Sequence, residues 1–210
     1  MAPLKVIVIG AGNRGTKYAT LMSQMPDMYQ VVAVADPGKA PREHIQQMYN
    51  LPDSACYTDW KDILAQPKMA DIAIITTVDA MHYEPALKAI DLGYHLLLEK
   101  PVAQTAEECA EIAAAAKKKG VSVLVCHVLR YAPFFKRVKE TIMAGTIGDV
   151  LSVVHVEAVG NVHQSHSLSA EIGTARKNPP PCFCRKAATT WILSSGFWEN
   201  PARKFNPSAV

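Results

Sequence analysis

The sequence predicts an α/β protein built on a doubly wound parallel sheet, followed by the start of an incomplete α/β second domain. Three observations predict this. Strand-like and helix-like stretches alternate over the first two-thirds of the chain, as in successive βα units. The strand-like stretches are continuous apolar runs such as Val6-Ile7-Val8-Ile9 rather than alternating ones, as expected of strands covered on both faces. The first run passes into the first helix through Gly10-Ala11-Gly12-Asn13-Arg14-Gly15.

The elements follow in order. Val6 to Ile9 is the first strand, closed by Gly10. Thr16 to Met25 has helical spacing and stops before Pro26. Val31 to Ala35 is the second strand, and Pro41 to Tyr49 is a helix after the Pro37-Gly38 turn. Asp59 caps a short helix through Leu64. Ile72 to Ile75 is a buried strand, His82 to Leu92 a helix ended by Gly93, and Leu96 to Leu98 another strand. Thr105 and Glu108 form a capping box ahead of an Ala- and Lys-rich helix ended by Gly120. Val121 to Val125 is a strand, Pro133 to Ala144 an amphipathic helix, and Val150 to Val159 a long strand. From Leu168 onward neither period is present, and Pro179-Pro180-Pro181 breaks any element.

Composition narrows the function. The 210 residues are 49% hydrophobic and 20% charged, so the chain can bury a core. No apolar run approaches the roughly 20 residues of a membrane helix, and the apolar start is too short and too interrupted for a signal peptide. The net charge is +3, but residues 168–210 contribute +4 of it and the remainder carries −1. That distribution argues against a nucleic-acid surface, which needs a clustered basic face. Five scattered cysteines, none in a CxxC pair, fit a reduced, cytoplasmic chain with neither a disulfide framework nor a metal site.

The glycine-rich turn carries the strongest chemical signal. Gly10 permits a tight turn, Gly12 lets a ligand approach the backbone, and Gly15 lets the helix pack close to the sheet. Together with Asn13 and Arg14 they form a candidate pyrophosphate cradle at a helix N-terminus. A glycine-rich turn without a ligand is the plainer alternative. Asp36 ends the second strand 21 residues after Gly15, where an acidic side chain meets the ribose 2′-hydroxyl of a dinucleotide. It favours NAD, although Lys39 and Arg42 nearby can tolerate NADP, and a turn aspartate before Pro37 is the alternative. A methyltransferase also pairs a glycine-rich first turn with an acidic second-strand end. The third glycine and the long alternation of strands and helices favour the dinucleotide-binding Rossmann arrangement.

Glu99-Lys100-Pro101 follows the strand Leu96 to Leu98, at the end of the sheet where ligands of open α/β folds bind. Pro101 restricts Lys100 to extended backbone. A lysine held in a partly desolvated cleft can act as a general acid or base, whereas elsewhere it would be a surface charge.

At this point the sequence resembles the Gfo/Idh/MocA oxidoreductases. The resemblance rests on Val6 to Gly15, Asp36, Thr76-Thr77, His82-Tyr83-Glu84-Pro85-Ala86-Leu87 and Glu99-Lys100-Pro101. It continues through Cys126-His127-Val128-Leu129-Arg130-Tyr131 and Ile147-Gly148-Asp149-Val150 to His163 and His166, covering residues 1–167. It implies a Rossmann domain over residues 1–127 and a second domain beginning at 128–167, while the Pro-rich, patternless residues 168–210 read as a poorly specified, disordered tail. It implies hydride transfer between NAD or NADP, with NAD favoured, and a sugar, cyclitol or related polyol. Lys100 would assist proton transfer. Glu99 and Lys100 would lie beside the nicotinamide ribose, and Thr76, Thr77 and His82 along the cofactor. Arg130, His163 and His166 would face substrate, the two histidines otherwise being structural or exposed. An intact form would allow a homo-oligomer.

The resemblance stops near Ser167. The family's second domain supplies a histidine–aspartate pair that works with the lysine, yet residues 168–210 contain neither histidine nor aspartate. We expect a reading-frame shift near Ser167, with a tail evolved for another purpose as the alternative, and an oxidoreductase inactive or impaired in this truncated form. Two other functions stay open at this stage. One is a non-catalytic dinucleotide-binding module. The other is a partner-binding protein docking through an exposed sheet edge at Val150 to Val159.

Overall fold

The computed structural model describes residues 2–154 and 156. The chain divides into two compact units, Met1–Cys126 and His127–Val210, and each is described by itself.

The first unit is a six-stranded sheet. Its strands are β1 (Leu4–Ile9), β2 (Tyr29–Ala35), β3 (Cys56–Tyr57), β4 (Ile72–Ile75), β5 (His95–Leu98) and β6 (Val123–Val125). Every pairing is parallel, and the order is β3-β2-β1-β4-β5-β6. Such an order needs a crossover between successive strands, and helices supply them. They are α1 (Asn13–Ser23), α2 (Lys39–Tyr49), α3 (Trp60–Ala65), α4 (Tyr83–Asp91) and α5 (Ala106–Lys119). The strand order reverses between β1 and β4, so a crevice opens beyond their carboxyl ends.

The apolar runs work as their composition predicts. In β1, Ile7 and Ile9 face one side of the sheet, and Val6 and Val8 the other, all at most 1% exposed. The first side packs on α3, α4 and α5 through Ile63, Ile90 and Ile112. The second packs on α1 and α2 through Ala19, Met22 and Ile45. Both faces of the sheet are therefore dry, which accounts for strands that read as unbroken hydrophobic runs.

Local signals also behave as the residues dictate. Thr105 Oγ1 accepts from Glu108 N at 3.1 Å while Glu108 Oε2 accepts from Thr105 N at 3.1 Å, closing the capping box of α5. Gly120 ends that helix with φ +71°. Asp59 Oδ1 caps α3 by accepting from Lys61 N at 2.9 Å. Thr105→Ala removes one half of the box, and a loss of about 1 kcal/mol in urea-denaturation stability is expected. An unchanged midpoint would show that the box contributes nothing.

Two expectations need correction, and one strand was not foreseen. The first helix begins at Asn13, not Thr16, so Gly15 lies inside its first turn. Only a hydrogen atom fits there, because a Cβ on Gly15 would stand 1.9 Å from the Gly10 carbonyl oxygen. Strand β3 escaped the sequence, since two residues carry no periodicity. The expected strand Val150 to Val159 is absent in its described part. Residues 150–154 and 156 have no regular structure, and Leu151, Val154 and Val156 are 95%, 89% and 82% exposed. A strand exists through its ladder, and among the described residues no neighbour pairs with this segment. The docking edge expected of it is therefore not formed there. The remaining positions of that strand, and the tail from Leu168, lie outside the described residues.

The described part of the second unit is a 3-10 turn at Val128–Tyr131 and helix α6 (Pro133–Met143), with Pro133 at its first turn. No helix among the described residues is long and apolar enough to cross a membrane.

Candidate active site

Four strand ends of the first unit, those of β1, β2, β4 and β5, carry the candidate residues. At the end of β1, Gly10 has φ +95°, and a Cβ there would stand 2.6 Å from the Thr76 carbonyl carbon and oxygen. Thr76 Oγ1 answers by donating to Gly10 O at 2.6 Å. The first turn of the loop is thus clamped to the end of β4. Gly12 differs from its neighbours, since a Cβ on it would meet no atom within 4 Å. It is the N-cap of α1, and no side chain caps that helix. The unpaired N–H groups of the first turn and the positive end of the helix dipole therefore face open space. Asn13 and Arg14, both exposed, flank it.

Asp36, at the end of β2, has both carboxylate oxygens committed. Oδ2 accepts from Ala11 N at 2.6 Å and Oδ1 from Gly38 N at 2.7 Å. Each oxygen keeps a lone pair for a further donor. Arg42 donates from Nη1 to the Asp36 carbonyl, and Lys39 pairs with Glu43 at 3.7 Å. Both basic side chains are thus engaged within the chain.

Beyond β5, Glu99 is 6% exposed. Tyr18 donates its hydroxyl to Glu99 Oε1 at 2.8 Å, and Lys100 donates its backbone N–H to Oε2 at 3.0 Å. The Arg14 guanidinium stands 3.8 Å from Oε1. A buried carboxylate is tolerable here because a cation and two donors satisfy it. Burial, then the neighbouring Cys126 and Glu99, push the Tyr18 phenol far above its usual range. Burial drives the Cys126 thiol up to about 11; Tyr18 and Arg14 oppose the rise, and Glu99 adds to it. Tyr18 thus remains a protonated donor and Cys126 an unreactive thiol at neutral pH. Neither was legible as a site residue. Tyr18 lies four residues after Arg14 on α1, but nothing local in the sequence links it to Glu99.

Lys100 precedes a cis peptide bond to Pro101. It is half-buried, and its ammonium meets no acceptor among the described residues. Thr77 Oγ1 donates to Met81 O at 3.0 Å, closing the turn after β4. His82 is 1% exposed, with Nδ1 2.6 Å from Pro101 O and Nε2 3.1 Å from Thr77 O.

The structure brings Gly10, Gly12, Asn13, Arg14, Gly15, Asp36, Thr76, Thr77, His82, Glu99 and Lys100 to the carboxyl ends of β1, β2, β4 and β5. Arg130 belongs to the second unit, exposed on the 3-10 turn. His163 and His166 lie outside the described residues.

A parallel sheet in this order, with a glycine loop at its reversal point and an acidic second-strand end, defines a dinucleotide-binding Rossmann domain. Residues 4–127 match the GFO_IDH_MocA model, an oxidoreductase family with an NAD-binding Rossmann fold, and the chain belongs to that family. It is 28% identical over 162 residues to the 2,7-anhydro-N-acetylneuraminate hydratase of Escherichia coli, covering 77% of this chain and 41% of that one. It is 29% identical over 147 residues to an NADP(+) scyllo-inositol 2-dehydrogenase of Bacillus subtilis, covering 70% of this chain and 39% of that one. The crystal structure of myo-inositol 2-dehydrogenase from Lactobacillus plantarum matches with a TM-score of 0.65 and 22% identity, over 70% of this chain and 43% of that one, a likeness of fold. The chain spans about two-fifths of the length of the curated relatives it matches.

Proposed function

We propose that the protein is an NAD(P)-dependent dehydrogenase of a sugar, cyclitol or related polyol, with NAD the favoured cofactor. One observation carries the proposal. An uncapped helix N-terminus at Gly12 and a lysine without an acceptor among the described residues, Lys100, follow the carboxyl ends of β1 and β5 in the same sheet. The residues present fit a dinucleotide, because the space a Cβ on Gly12 would enter is vacant of protein atoms.

The N–H groups of Asn13, Arg14 and Gly15 would receive the pyrophosphate. Asp36 would accept from the ribose 2′-hydroxyl and, already charged, would repel a 2′-phosphate. Thr76 and Thr77 would line the path, and Glu99 would steady the nicotinamide end. When bound, the nicotinamide supplies the hydride acceptor. Lys100, as the neutral amine, would take the hydroxyl proton as the hydride leaves the alcohol carbon for the nicotinamide, and as the ammonium would return it in the reverse direction. Arg130, His163 and His166 would contribute substrate contacts. The three described free thiols accord with a reducing, cytoplasmic setting.

Asp36→Ser is expected to lower the preference for NADH over NADPH about tenfold, roughly 1.4 kcal/mol, as read by fluorescence titration with both cofactors. An unchanged ratio would remove Asp36 from cofactor choice.

The activity test titrates NADH and then follows NAD reduction with inositols and hexoses. Binding with turnover supports the dehydrogenase. Binding without turnover on any polyol supports a module that only holds the dinucleotide. That second function is favoured by the described part of the second unit, which adds one helix and no further sheet. Failure to bind NADH or NADPH rejects both.

A further inference from the structure

We propose that His82 is a positioning residue that sets Lys100 by tying the carbonyl of Pro101 to that of Thr77. The inference rests on the assignment of Lys100 to proton transfer above. The imidazole is 1% exposed and lies between two backbone carbonyl oxygens, at 2.6 Å on the Nδ1 side and 3.1 Å on the Nε2 side. The two carbonyls belong to different strand ends, the turn after β4 and the turn after β5. Thr77 Oγ1 reaches only within its own turn, to Met81 O at 3.0 Å. Lys100 is held from the other side, through its N–H to Glu99 Oε2 at 3.0 Å. The Glu99 contact and the His82–Pro101 contact therefore bracket Lys100 along the backbone.

No aliphatic side chain of similar size can make this bridge, because a carbonyl accepts only from a donor: a neutral ring donates to one of the two and a ring protonated on both nitrogens donates to both. His82 also caps nothing, although it is the N-cap residue of α4, so its ring is committed to the strut alone. Buried at 1%, it is placed to act on the cofactor and substrate through Lys100 and not by contact.

The test is a double-mutant cycle on the full chain, combined with the Lys100 backbone amide resonance of isotope-labelled protein. His82→Leu is expected to weaken NADH binding about fivefold where Lys100 is present, and to add nothing in a Lys100→Ala background. The Lys100 amide resonance should move in His82→Leu, while His82→Gln, which keeps an N–H donor for the Pro101 carbonyl, should restore both readouts in part. A Lys100 resonance that stays in place in His82→Leu, or an equal loss of NADH affinity in both backgrounds, would overturn the proposal. Movement of the resonance with no effect of Lys100→Ala on binding or turnover would leave the strut standing and remove Lys100 from the chemistry. Should His82→Leu fail to fold, the ring of the unaltered chain decides. A slowly exchanging ring N–H coupled to the Pro101 carbonyl supports the strut, and a rapidly exchanging, uncoupled one overturns it.

Discussion

Lys100→Ala is expected to lower turnover about a hundredfold to ten-thousandfold, the usual contribution of a positioned proton donor or acceptor. NADH affinity should fall only about fivefold, close to the worth of one hydrogen bond. The asymmetry follows from what each group touches. The pyrophosphate would be held by α1 and its N–H groups, which the substitution leaves intact. Glu99, the adjacent titratable group at the end of β5, is already held by Tyr18, the Lys100 N–H and Arg14. Steady-state NAD reduction, with NADH titrated in parallel, measures both numbers. A turnover within threefold of the parent would show that the proton goes elsewhere. A loss of NADH affinity as large as the loss of turnover would make Lys100 a binding residue instead.

The glycine loop should separate into structural and ligand-facing positions. Gly15→Ala drives a methyl group to 1.9 Å from the Gly10 carbonyl oxygen and 2.9 Å from Thr76 Oγ1. Neither neighbour can retreat, because Gly10 is clamped between β1 and β4. A destabilisation of about 3 kcal/mol is expected, with loss of cofactor binding as the loop deforms. Gly12→Ala is the contrasting variant. Its methyl group meets no protein atom, so urea denaturation should be unchanged or slightly improved. NADH affinity should still fall at least about tenfold, because the methyl occupies the space reserved for a phosphate. If Gly12→Ala binds NADH normally, the phosphates do not lie over that turn. If Gly15→Ala melts like the parent, the close contact with Gly10 is relieved at no cost.

Much of the first unit was legible because its causes are local. Buried parallel strands write themselves as β-branched runs, and helix ends as Thr105, Glu108 and Gly120. Ile72–Ile75 has the same bounds in sequence and structure. Features with distant causes were not legible. The segment from Val150 has strand-like composition, but strand formation needs a neighbour, which composition does not supply. Within the crevice, the glycine spacing and Asp36 lie within one βαβ unit and could be read directly. The Tyr18–Glu99 contact joins positions 81 residues apart, and the His82–Pro101 contact positions 19 apart. No periodicity or cap announces such pairs, since topology alone brings them together.

The buried Glu99 carboxylate holds Tyr18 of α1 with one oxygen and the backbone of Lys100 with the other. The element that would grip phosphate and the residue that would move a proton are thereby parts of one rigid body. In the proposed binding mode, a cofactor seated at its pyrophosphate end would meet Lys100 already in register. The entropy of that alignment is then lost once, when the chain folds, and not again at each encounter with substrate.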